Sequence, residues 1–455
     1  TLNNTGTVNL TATALGTSTA GDASAFAEAG GGEHGLVHIR ARANGTGIDT
    51  ATALLTNAAG KTITVSANAT ATAAGFATAT ASGGDAFSAD HDAKRGGLVV
   101  QAQTSGADDG NNTSTIDNAG TIAFSYTANA TSTGEPAAPE DPEVMVAAIS
   151  NLGAEALSRV NGAIHQIVEA GGPSSFVGRT GVATLNNAAG GNITVSTSST
   201  AVSNGYSNAG AMIGAAVLQQ GEVTGVATTA FNNAGTLSAT SNASASGVQA
   251  DSGAMALGVL QELIAVGGTT AAFTNSGTFG VSALANSTAT ESAGSSAQAI
   301  GYEARGEPLG LAVSNTSTFN VASTATSDGY ANAFAGGMGF FASIDPTTLP
   351  PEDEDHGGGS GGSGGGSGGS EEDEEENPWE SWTNAITGSV ANSGTLSVTA
   401  TATSGDLTGG VTALADGQNA YPEAVGVYFE SATNPANYTN SLNISVSEVT
   451  NGGVS

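Results

Sequence analysis

The stretch that decides the fold is Asn392 to Thr403, NSGTLSVTATAT, near the end of a chain of 455 residues. After Gly394 it alternates without error. Leu396, Val398, Ala400 and Ala402 fall on one face, and Thr395, Ser397, Thr399, Thr401 and Thr403 on the other. A period of two is the signature of a strand buried on one side. Thr62 onward repeats it at greater length, with Ile63, Val65, Ala67, Ala69, Ala71 and Ala73 on the inward face, a break at Ala74-Gly75, and a second set at Ala77, Ala79 and Ala81. A helix this rich in alanine would show a 3.6-residue period and fewer Thr, Ser and Asn, which are poor in helix interiors. Large residues near the turn and alanine beyond it fit a close-packed core that narrows away from the corner.

The phrase leading into that strand recurs. It reads LNNTGTV from Leu2, LTNAAGKTITV from Leu55, IDNAGTI from Ile116, LNNAAGGNITV from Leu185 and FNNAGTL from Phe231. Further copies are FTNSGTF from Phe273, VSNTSTF from Val313, VANSGTL from Val390 and a degraded YTNSLNI from Tyr438. The third residue of each copy is an asparagine: Asn4, Asn57, Asn118, Asn187, Asn233, Asn275, Asn315, Asn392 and Asn440. Their spacings are 53, 61, 69, 46, 42, 40, 77 and 48, so the unit is near 40 residues with insertions. Repeats of this period point to a stacked, quasi-one-dimensional architecture. The anchor is expected in the turn before a strand, where its amide can stack on the asparagine of the next coil and where Asn and Gly tolerate left-handed backbone.

Through these NxGT(I/L)xVxAxAxA phrases the chain resembles the repetitive β-solenoid passenger regions of Gram-negative autotransporters and large surface adhesins. That resemblance implies an extracellular or cell-surface protein secreted by a bacterium, and no functional residue carries over with it. The fold expected is all-β, a parallel β-solenoid of eight to nine degenerate repeats. Repeats occupy 1–133, 181–342 and 383–455. Weaker apolar strands between anchors, such as Ala211 to Val217 and Ala254 to Leu260, imply several strands per unit. Whether one unit makes one large coil or two small ones is open, and the rod is about 40 Å long in the first case and about 80 Å in the second.

Two insertions interrupt the pattern. The first, 134–180, carries Leu157, Val160, Ile164, Ile167 and Val168 at i, i+3, i+7, i+10 and i+11, the spacing of an amphipathic helix against the side of the rod and a candidate side interface. The second, 343–382, holds Glu352 to Asp355, then only Gly and Ser from Gly357 to Ser370, then Glu371 to Glu376, which reads as a flexible acidic loop. Its carboxylates gather Ca²⁺ only weakly if at all, and no other cofactor is expected.

Composition narrows the partners. Eight Lys and Arg stand against 40 Asp and Glu, a net charge of -32, which excludes a phosphate-binding surface and so nucleic acid. Anionic membrane surfaces repel such a chain, and no apolar run is long enough to span a bilayer. There is no cysteine, hence no disulfide and no thiolate metal site. Leu, Ile, Val and Phe make up about 18% of the chain, a disorder-like level that only the strand periodicity overrides.

Catalytic motifs fail on context. Gly358-Gly359-Ser360-Gly361-Gly362 fits G-x-S-x-G only because the loop is Gly and Ser, and Gly60-Lys61-Thr62 lacks the upstream glycine of a phosphate loop. His34, His38, Asp85, Asp90, His91 and Asp92 have metal-ligand chemistry but no spacing that selects a site. The N-x-[ST] triplets follow from composition.

The reading is an extracellular structural or adhesive rod, not an enzyme, whose main partner is itself. Head-to-tail polymerisation is expected through its end coils, at Leu2 and Val8 on one side and Leu442 and Ile444 on the other; host or matrix glycans are further candidate partners. The alternatives are a monomeric segment of a large adhesin or autotransporter passenger, a carbohydrate-acting β-helix enzyme, and an ice-binding solenoid suggested by the outward Thr-x-Thr rows.

Overall fold

One circuit of the chain, from Thr62 to Asn118, shows how the structure is made. In the computed structural model the strand Thr62–Ala73 forms a first side, Ala77–Gly83 a second, Leu98–Ser105 a third and Gly110–Asn118 a fourth, after which Thr121 lies beside Thr62. The structure describes residues 1–29, 37–43, 49–83, 97–105, 110–134, 152–171, 179–343, 386–404, 419–430, 437–439 and 442–450.

Among the described residues every strand pairing is parallel, and the first side keeps its register from coil to coil. Thr62 pairs with Thr7 below and Thr121 above, Thr121 with Asn192, Asn192 with Thr236, and the series continues through Thr278, Thr318 and Thr395. Each anchor-to-anchor unit is therefore one coil of four sides. The protein is an all-parallel β-solenoid. Nine first-side strands, Thr7–Ser18 through Leu442–Thr450, at about 4.8 Å per coil make a rod of about 40 Å.

The inward face is the alternating apolar set. Ile63, Val65, Ala67, Leu237, Ala239, Leu396, Val398 and Ala400 are all buried. The interior is wide where the fourth side turns into the first. There Phe279 stacks on Phe319 with centroids 4.4 Å apart, and Phe273 lies 4.8 Å from Tyr302 on the third side. It is narrow where the far half of the first side meets the second, so Ala69, Ala71 and Ala73 share the core with Ala77, Ala79 and Ala81. Serines zip this narrow end: Ser199 Oγ donates to Ser158 Oγ at 2.9 Å, and Ser287 Oγ to Ser252 Oγ at 2.8 Å. A hydroxyl fits where a methyl would and bonds across the seam.

The segment Leu157 to Val168 is not a helix. It comprises two strands, Gly153–Val160 on the second side and Ile164–Gly171 on the third, in register with the coils on either side. The corner Asn161-Gly162-Ala163 sits between them. Two period-two runs separated by a three-residue corner place Val160, Ile164 and Val168 inward and leave Leu157 and Ile167 on the outer face, which imitates a 3.6-residue period in the sequence. Corners also divide the apolar runs expected as single strands: Tyr206–Ile213 ends before Gly214, and the next side begins at Val217. The acidic loop expected at 343–382 lies outside the described residues beyond Ser343.

Glycine at the corners has two distinct causes. Gly60 and Gly190 have φ of 70° and 86°, which only glycine adopts at no steric cost. Gly120 has no such φ, yet a Cβ there would run into the Lys61 carbonyl of the coil below. No described residue other than glycine has positive φ, so the anchor asparagines do not serve the left-handed turn expected of them.

Candidate functional site: the amide ladders and the polar third side

Each described anchor asparagine is the last residue of a fourth-side strand, and its side chain turns inward at the corner. Asn4 Nδ2 donates to Asn57 Oδ1 at 2.8 Å, Asn57 to Asn118 at 2.7 Å, Asn118 to Asn187 at 2.8 Å and Asn187 to Asn233 at 2.7 Å. The line continues through Asn275 and Asn315 to Asn392, at 2.8, 2.7 and 2.6 Å. The second amide hydrogen goes to the main-chain carbonyl that opens the next coil, as from Asn233 to Thr278 at 3.0 Å. All eight of these side chains are at most 7% exposed. Asn440 lies outside the described residues. Both amide hydrogens and the amide oxygen are thus satisfied in a place where water does not reach, which is what makes a buried amide tolerable.

A second ladder of opposite polarity runs inside the third side. Gln219 Nε2 donates back to Gln166 Oε1 at 2.7 Å and Gln261 Nε2 to Gln219 Oε1 at 2.7 Å, while the buried Tyr302 hydroxyl closes the run on Gln261 Oε1 at 2.6 Å. Each glutamine also ties the third side to the fourth, Gln219 to the Ala230 carbonyl at 3.0 Å and Gln261 to that of Ala272 at 3.1 Å. Burial pushes the Tyr302 hydroxyl far above the usual phenol range, so it stays a donor.

The outer face of the same side collects ionisable chemistry from successive coils. His165 Nε2 meets Gln220 Oε1 at 2.5 Å, Gln220 Nε2 donates to Glu262 Oε2 at 2.7 Å, Arg305 lies 3.7 Å from Glu262, and Arg305 Nε donates to Glu303 Oε1 at 2.6 Å. Glu303 is 3% exposed. Burial raises its carboxyl above the ordinary carboxylate range and Glu262 adds to that, while the Arg305 guanidinium draws it partly back. Beside this row, at the corner of the second and third sides, Ala215, Leu218, Leu257, Leu260 and Ile300 form an apolar cluster separate from the main core, with Met338 against it. A shallow trough of about 310 Å³ follows on the outer second side, floored by Gly210 and Gly253 and bordered by Leu157, Met212, Met255 and Gln298.

The other residues singled out from the sequence are dispersed. Leu2 is on the edge of the fourth side and 37% exposed, Val8 is half-buried on the first side, and Leu442 and Ile444 continue the first side, pairing with Leu396 and Val398. Val160, Ile164, Ile167 and Val168 are buried in the coil wall, which leaves Leu157 alone of that set as a border of the trough. Of the metal-type residues, His38 is on the third side, and His34, Asp85, Asp90, His91, Asp92 and the acidic loop are outside the described residues. Among the described residues no three His, Asp or Glu side chains are grouped to hold a metal ion, and no helix is long and apolar enough to cross a membrane. No family model, curated protein or solved structure matches the chain.

Proposed function

We propose that the protein is an extracellular structural or adhesive rod of a bacterium, of the kind its resemblance to autotransporter passengers and adhesins implies, and that its rods continue end to end by stacking coils of further copies. The observation that carries this reading is the first-side register kept from coil to coil, with the asparagine ladder beside it. Because all coils begin with the same phrase, any coil edge is a template for any other, and contact between two unlike edges does not close on itself. Acidic exterior charge keeps such rods soluble, and a core of small residues gives reach with little mass per coil.

Negative-stain imaging of the purified chain tests the reading. Long uniform fibres are expected, and deletion of Thr1 to Leu10, or Val8→Pro with Ile444→Pro, is expected to leave folded rods that no longer join. Isolated rods from the intact chain would favour a monomeric adhesin segment instead, and fibres that survive these changes would exclude stacking at those edges.

The row from His165 to Arg305 supports a second reading, a carbohydrate-acting β-helix enzyme, because it places carboxylates and a guanidinium on neighbouring coils beside a trough. Turnover of neutral or acidic polysaccharides that disappears in Glu262→Gln would establish it. Thermal hysteresis would establish the ice-binding alternative.

A further inference from the structure

The outer face of the first side differs from every other surface of the rod. Its alternate residues form a grid, five columns wide, across eight coils from Thr7–Leu15 to Thr395–Thr403, each position in register with the coil above. The row Thr62, Thr64, Ser66, Asn68 and Thr70 is representative. Apart from Leu15, Ala123, Gly280, Leu284 and Ala322, all the positions are Thr, Ser or Asn, and none is charged. On a chain of net charge -32 this is unexpected. The other three sides carry carboxylates on described outer positions, Glu155 and Asp251 on the second, Glu222 and Glu262 on the third and Asp117 on the fourth, whereas on the first side Asp328 lies one column outside the grid.

We infer that this face is a side-by-side pairing surface for a second copy of the chain. Charge selects the face. Two strongly acidic rods repel wherever carboxylates face each other, and like charges brought together across an interface oppose it. Within the five columns of this grid two copies can meet with no charge between them, Asp328 lying one column beyond it at the margin of the same side. Area is sufficient: about nine residues of strand by eight coils spans about 30 Å by about 35 Å, or about 1,000 Å² a side, against the roughly 800 Å² a side of a standard stable interface. The chemistry is self-complementary, since hydroxyls and amides both donate and accept, and the threonine methyls contribute apolar surface. Part of the grid is already ordered, with Ser66 Oγ donating to Thr11 Oγ1 at 3.0 Å and Ser282 Oγ to Thr240 Oγ1 at 3.2 Å. The same patch on both partners makes a twofold, isologous contact, distinct from end-to-end stacking.

Sedimentation of the full chain against salt tests the inference. A neutral interface between acidic bodies tightens as repulsion is screened, so the dimer is expected to form at about tenfold lower concentration or less when salt rises from about 0.01 M to about 1 M, where the screening length falls from about 30 Å to about 3 Å. Thr64→Asp with Thr127→Asp and Ser238→Asp places charge in the middle of the grid and is expected to give monomers with an unchanged melting transition, whereas Thr228→Asp on the fourth side leaves the dimer intact. The single variant Thr64→Asp, measured alongside, weakens the dimer in part and covers the case of a misfolded triple variant. Val8→Pro separates this contact from end stacking, because it blocks fibres and leaves the lateral dimer. A monomer at every salt concentration, a triple variant that dimerises like the parent, or a monomer that instead binds neutral polysaccharide or ice would overturn the inference.

Discussion

The side-chain amide of Asn233 sits between Asn187, from which it accepts at 2.7 Å, and Asn275, to which it donates at 2.8 Å, while its second hydrogen reaches the Thr278 carbonyl at 3.0 Å. One residue therefore joins three successive coils. Asn233→Ala strands the amide of Asn187, the oxygen of Asn275 and the Thr278 carbonyl in a dry corner. Each buried group left without a partner costs about 1–3 kcal/mol, so denaturant unfolding is expected to show a loss of at least about 2 kcal/mol. Asn4→Ala interrupts one ladder bond in place of two and is expected to cost about half as much. Equal losses at the two positions would remove the ladder from the account.

Overpacking distinguishes the faces of the strand. Ala400 is fully buried and Thr401 is on the outer face. Ala400→Leu is expected to cost about 1–3 kcal/mol and Thr401→Leu to be close to neutral, measured by thermal melting. Equal stability of the two variants would contradict the assigned register.

Tyr126 gives a prediction of the opposite sign. Its ring fills the core against Gly83 and Gly97, and its buried hydroxyl has no hydrogen-bond partner among the described residues. Burial accordingly pushes that phenol well above its usual range. Removing an unsatisfied hydroxyl removes its desolvation cost, so Tyr126→Phe is expected to stabilise by about 1 kcal/mol. A loss of stability in urea titration would mean that the hydroxyl is bonded.

Stability near Glu303 depends on pH in a defined direction. A carboxyl whose folded pKa is raised binds its proton more tightly when folded. The stability this contributes is complete below the titration of the unfolded carboxyl and is lost as pH rises through the higher folded value. From the ordinary glutamate range upward, the parent is expected to lose stability relative to Glu303→Gln. Arg305→Gln removes the pairing that draws the carboxyl down and should widen that gap, with little effect on Glu303→Gln itself. Parallel melting curves for parent and Glu303→Gln across this range would exclude the effect.

Much of this architecture is legible in sequence, and the failures have a common cause. The alternation after Thr395 and the asparagine anchors are local, because both follow from the two-residue period and from corner chemistry. The misread helix at Leu157 to Val168 arose where a corner broke that period. The third-side row was invisible because His165, Gln220, Glu262 and Arg305 are brought together by coil length, which varies with each insertion. The glutamine ladder left a trace: Gln219 and Gln261 each lie 11 residues before the carbonyl they bond, whereas Gln166 lies 18 before its own, the insertion after Gly171 having hidden the match.

In this solenoid one repeat makes one coil. The chain has no cysteine, so introduced pairs report on it without interference. Ser66 and Ser196 both neighbour Ser125 in the sheet, one coil below and one coil above. A disulfide needs Cα atoms within about 4.4–6.8 Å. Adjacent coils at about 4.8 Å meet that limit and coils two apart do not. Under mild oxidation Ser66→Cys with Ser125→Cys, and Ser125→Cys with Ser196→Cys, are expected to crosslink within the monomer, and Ser66→Cys with Ser196→Cys is expected to stay reduced. Failure of both adjacent pairs, or crosslinking of Ser66→Cys with Ser196→Cys within the monomer, would contradict a solenoid with one coil per repeat.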